Sequence, residues 1–158
     1  YAFIITQPTN FVATTVTGLG GSANFDTQLF LFNANGFGIA ANDDSSSSVQ
    51  STINNSTGLY TSLAAGLYYL AISSYDQSSD ANVLIFPSTP FSGLFGPTGP
   101  GGGAPLSGWT GSGGVGDYTI NLSFVSAVPV PGGMLLAGIG IVALALFSRY
   151  KGRLLKSA

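Results

Sequence analysis

Residues 67–73 read Leu67-Tyr68-Tyr69-Leu70-Ala71-Ile72-Ser73, an uncharged run of aromatic, branched and small side chains with neither Gly nor Pro inside it. Alternation sends Tyr68, Leu70 and Ile72 to one side and Tyr69, Ala71 and Ser73 to the other, the period of a β-strand with one core face. Working outward, runs of similar character recur between turn-forming clusters at 2–6, 11–17, 28–32, 38–41, 82–86 and 118–124. In the last of these, Tyr118, Ile120, Leu122 and Phe124 group on one face against Thr119, Asn121 and Ser123. Short strands at this spacing predict an all-β fold, an antiparallel β-sandwich of jelly-roll-like type. Asn35-Gly36 supplies the positive φ of a tight hairpin, which places Phe30 and Ile39 on adjacent strands. No sustained helical period and no internal repeat competes with this reading.

Charge divides the chain more sharply than hydropathy does. All six acids, Asp26, Asp43, Asp44, Asp76, Asp80 and Asp117, precede all four bases, Arg149, Lys151, Arg153 and Lys156. Residues 1–148 therefore carry six negative charges and nothing to neutralise phosphates, which excludes nucleic acid as a partner of the body. The chain has no Cys, His or Glu. Disulfides, imidazole catalysis and thiolate or imidazole zinc sites are thereby excluded, and the many serines have no base to activate them. The expectation is a non-enzyme.

Three regions follow: a β-sandwich over 1–126, interrupted by a Gly-rich surface loop at 92–116; a Pro/Gly linker at 127–133; and an apolar segment with a basic end at 134–158. Trp109 stands alone within the Gly-rich loop as a candidate contact or clasp. Met134–Phe147 are fourteen uncharged, largely apolar residues, which predict a single C-terminal α-helix. Started near Pro131, in the first turn where its missing N–H costs nothing, that helix approaches the length of a membrane span. The bases beyond it place the C-terminus on the cytoplasmic side and the acidic body outside. Gly133, Ala137 and Gly140, with Leu144, form the side suited to close helix packing, and the basic end suits anionic head groups or an acidic partner.

Hard-cation chemistry is the one metal chemistry these side chains allow, because carboxylate, amide and carbonyl oxygens suit calcium. Asp26, Asp43 and Asp44 are its candidate ligands, and a solvated acidic loop is the alternative. Asp76 and Asp80, flanking a turn, form a weaker second candidate.

Two resemblances add to this. The tail, with Val128-Pro129-Val130-Pro131, the apolar run and the basic end, resembles the PEP-CTERM class of bacterial sorting signals, with Val130 in place of the acidic residue. That resemblance implies export and handling by a membrane sorting peptidase. The body resembles the bacterial pre-peptidase C-terminal domain in residues 26–36, 41–44, 65–72 and 116–120. It implies a non-catalytic β-sandwich module of secreted and surface proteins. The expected function is thus an exported structural protein of the cell surface or extracellular matrix. Two alternatives stand beside it: the subunit of a homopolymeric filament with the tail helices packed in its core, and a module binding exopolysaccharide through Tyr60, Tyr69, Tyr75 or Trp109.

Overall fold

The structure, a computed structural model, describes residues 1–45, 48–55, 58, 63–87 and 93–129. The chain divides into two units, Tyr1–Val128 and Pro129–Ala158. The predicted C-terminal helix, with Gly133, Ala137, Gly140, Leu144 and the four bases, lies outside the described residues, as do Val130 and Pro131 of the expected sorting motif. Among the described residues no helix is long and apolar enough to cross a membrane.

Among the described residues the first unit is all-β with antiparallel pairing, and its helical pieces are short 3-10 turns. Its strands are β1 (Ala2–Ile5), β2 (Val12–Thr14), β3 (Ser22–Ala23), β4 (Thr27–Asn33), β5 (Gly38–Asn42), β6 (Thr52–Asn54) and β7 (Gly66–Ser74). They continue as β8 (Gln77–Asp80), β9 (Leu94–Phe95), β10 (Gly108–Gly111), β11 (Tyr118–Thr119), β12 (Asn121–Ser123) and β13 (Val125–Ala127). One six-stranded sheet runs β13-β1-β7-β4-β5-β9, a three-stranded sheet runs β12-β2-β6, and β10-β8 and β11-β3 form two-stranded ribbons. The main hydrophobic core fills the space between the two larger sheets, with Phe3, Ile5, Leu29, Leu31, Tyr68 and Leu70 on one side and Ala13 and Ile53 on the other. Tyr68 reaches this core without an orphaned hydroxyl, because its Oη donates to the Ala64 carbonyl at 2.8 Å.

Strand β4 is buried on both faces, which one-sided alternation does not predict. Leu29 and Leu31 enter the main core, while Phe30 and Phe32 form a second cluster with Ala41, Ile85 and Phe86. The cover over that second face comes from the Gly-rich segment, expected as a loose surface loop. It contributes β9 and β10, and the Trp109 indole packs edge-on against Phe30 and Phe32, with ring centroids 5.3 and 6.4 Å apart. Glycine is needed there for close approach: a Cβ on Gly102 would run into the Pro97 carbonyl, and one on Gly99 into the Leu84 carbonyl. Trp109 is therefore a clasp.

Two strand expectations change. Residues 82–86 form no strand beyond a single bridge from Leu84 to Asp80, since Asn82 takes a positive φ of 70° and turns the chain. Residues 118–124 are divided between β11 and β12, which pair with β3 and β2, and the chain then continues as β13 against β1. The chain switches partners at Phe124, whose φ of 60° turns its ring out of the core to 46% exposure. Ile120 and Leu122 do pack against the main core, and Tyr118 is largely exposed. The Asn35-Gly36 hairpin forms as read, with Gly36 at φ 83° and the Asn33 side chain accepting from the N–H of Asn35 and Phe37.

Candidate functional site

Antiparallel pairing of β4 with β5, with Leu29 opposite Asn42, brings the start of the first and the end of the second to the same edge. Asp26 immediately precedes β4, and Asp43 and Asp44 immediately follow β5. One carboxylate oxygen from each of the three lies within 4.8 Å of the others. The expected ligand trio is thus brought together by the hairpin register itself. Asp76 and Asp80 are not brought together: β8 separates them as an extended strand, about 13 Å over four residues.

The loop from Asp43 to Ser51 is fastened from below. Asn42 Nδ2 donates to the Asp44 carbonyl at 3.0 Å and to Gly93 at 2.7 Å, and the Ser45 N–H donates to Gln50 at 2.9 Å. Ser51 Oγ donates to the Asp43 carbonyl at 2.7 Å. Beneath the carboxylates lies a buried web of hydroxyls that sequence reading did not reveal. Thr15 and Thr27 share a hydrogen bond of 2.8 Å, Thr14 and Thr52 one of 2.7 Å, and Thr27 and Ser51 one of 3.0 Å. The hydroxyls of Thr14, Thr15, Thr27 and Ser51 each have several partners within the fold, and that of Thr52 has Thr14. The web ties β4 of the large sheet to β2 and β6 of the smaller one under the acidic edge.

Asp43 is only 2% exposed, whereas Asp26 and Asp44 are half-buried. Burial, and then the charge of Asp44, push the Asp26 carboxyl above the ordinary aspartate value of 3.8. The folded chain consequently holds this proton more tightly than the unfolded chain does. Between 3.8 and the raised value, the stability owed to Asp26 falls as pH rises and is regained on acidification. In chelator, thermal melting across that window is expected to show this slope, and Asp44→Asn to flatten it by removing the repelling charge.

An oxygen-only donor set within 4.8 Å fits calcium, whose ligands stand about 2.3–2.6 Å from the ion and hence at most about 5 Å apart across it. No Lys or Arg occurs before residue 149 to neutralise the trio instead. A groove of about 620 Å³, walled by Val83, Leu84, Pro87 and Pro100, carries the single carboxylate of Asp80 and two threonine hydroxyls, which provides no acid–base pair. Of the aromatic candidates, Tyr69 and Trp109 are 40% and 43% exposed and both adjoin Phe32, Tyr69 as its cross-strand neighbour. Tyr75 is exposed in the turn after β7, and Tyr60 lies outside the described residues. Val128 and Pro129 of the expected sorting motif are exposed at the end of the strand region.

The hairpin, the core strands on either side of it and the acidic edge all fall in the first half of the chain. Residues 1–74 match the family model of the bacterial pre-peptidase C-terminal domain. The pre-peptidase C-terminal match runs from β1 to the end of β7 and includes all three clustered aspartates. The clasp formed by β8 to β10, and the resemblance at 116–120, lie beyond it. No match was found among curated proteins or among solved structures.

Proposed function

We propose that the chain is an exported, non-catalytic β-sandwich module of the cell surface or extracellular matrix, presented by its C-terminal segment and stiffened by calcium between Asp26, Asp43 and Asp44. The observation that carries this reading is the convergence of three carboxylates at one sheet edge in a body with no cation of its own. In a chain without cysteine, a cation joining the start of β4 to the end of β5 does what a disulfide does elsewhere, restraining the loop that crosses to β6. The absence of His, Cys and Glu from the sequence leaves no general base for serine chemistry, which supports a structural role over a catalytic one.

Calcium at about 10 mM is ten to a hundred times the dissociation constant typical of extracellular sites and adds about 2 kcal/mol. The expected result is a rise of roughly 5–10 °C in melting temperature over chelator. Asp44→Asn is expected to remove most of that rise while leaving the chelated protein at least as stable as the wild type. An equal response of the variant and the wild type would locate the ion elsewhere.

A further inference from the structure

The phenol oxygens of Tyr1 and Tyr118 stand 2.5 Å apart across 117 positions of sequence. Both rings are open to solvent, at 64% and 39% exposure. Neither is loose at its base. Tyr1 is tied to Leu70 by two backbone hydrogen bonds, its nitrogen donating at 2.7 Å and its carbonyl accepting at 2.8 Å. Tyr118 is paired through β11 with Ala23 and braced edge-on by the Phe25 ring, 6.1 Å between centroids. Two phenols held in hydrogen-bond contact at the surface are placed for proximity-driven coupling.

We propose that Tyr1 and Tyr118 form an oxidative cross-link, a carbon–carbon bond between their rings that fastens the strand leading into β1 to β11. The co-reactant is a peroxide turned over by a haem peroxidase. Each phenol gives up its O–H hydrogen, as one electron and one proton, and the unpaired electron spreads to the carbon ortho to the oxygen. The two ortho carbons join. Each then loses its hydrogen as a proton while its oxygen regains one, which restores both aromatic rings. Two protons and two electrons leave in total and reduce one hydrogen peroxide to two waters. The existing hydrogen bond aids the first step, since the oxygen of one phenol lies where the proton of the other departs. That bond also holds the Tyr118 hydroxyl above the usual phenol range, with burial and electrostatic repulsion from Tyr1 adding to it.

The consequence would be mechanical. β1 lies beside β13 with Phe3 opposite Ala127, so a pull on the two ends of the unit Tyr1–Val128 works directly on three residue pairs. A bond from Tyr1 to Tyr118 carries that load past everything between them. This inference does not depend on the calcium reading.

The test exposes the full chain, at about 1 μM, to hydrogen peroxide and a haem peroxidase, followed by intact mass and peptide mapping. An effective concentration of roughly 1 mM or more for the held pair favours the internal product about a thousandfold over coupling between chains. The expected product is a single chain lighter by two hydrogens, with the peptides bearing Tyr1 and Tyr118 joined. Its yield should be insensitive to dilution, and Tyr118→Phe, a surface change, should abolish it with the fold intact by circular dichroism. Coupling confined to dimers or to Tyr69 and Tyr75, with Tyr1 and Tyr118 unlinked, would overturn the proposal.

Discussion

Replacing Ser51 by alanine is expected to cost the sandwich about 2–3 kcal/mol, a large effect for the loss of one oxygen. The Ser51 hydroxyl is fully buried and bonds to the Asp43 carbonyl at 2.7 Å, to the Thr27 hydroxyl at 3.0 Å and to the Thr27 carbonyl. Its removal leaves buried acceptors that water cannot reach, so the penalty is one of desolvation as well as of lost bonds. Because Thr27 opens β4 and Asp43 follows β5, the same change loosens both arms of the carboxylate cluster. Urea unfolding should therefore give a lower midpoint at unchanged slope, together with a weaker calcium response. A loss below about 0.5 kcal/mol, the scale of an ordinary surface substitution, would mean that the hydroxyl web is not a determinant of stability.

The second large effect is expected at Trp109. Truncating a well-buried aromatic to alanine costs about 3–5 kcal/mol. Since the Trp109 ring is 43% exposed, roughly 2–3 kcal/mol is expected for Trp109→Ala. The indole covers Phe30 and Phe32 on the second face of β4, so its loss opens that cluster and frees the β8–β10 ribbon, in which Trp109 lies opposite Ser79. Hydrogen exchange should quicken in β8 and β10 while β1, β2 and β7 stay protected. Equal quickening in both cores would contradict two separately covered faces.

The sequence made the central strands legible because aromatic and β-branched runs with a two-residue period have few other ways to bury themselves. Residues 67–73 and 28–32 lie within β7 and β4. The Asn35-Gly36 turn was legible for the same reason, a steric need with few solutions. Asp26, Asp43 and Asp44 could be grouped because the hairpin between them is short and tightly specified. What escaped reading was stabilised from a distance. Gln77-Ser78-Ser79-Asp80 has no apolar residue and becomes a strand through pairing with β10 and through burial of Ser79. The 118–124 run has the right alternation, yet it breaks at Ile120 into two strands with different partners and ends at the turn of Phe124, beyond which β13 takes a third. The hydroxyls of Thr14, Thr15, Thr27, Ser51 and Thr52 have the composition of any solvated surface, and only the packing of two sheets makes them a buried web. Tyr1 and Tyr118 are too far apart in sequence for any local pattern to join them.

A calcium-stiffened module standing outside the cell is tested most directly by adding protease to intact cells that make the protein, with and without a chelator. The account predicts that the sandwich is cleaved from the outside and that chelation speeds the cleavage, first within the loop that joins β5 to β6. Digestion only after lysis, at a rate that calcium does not alter, would contradict it.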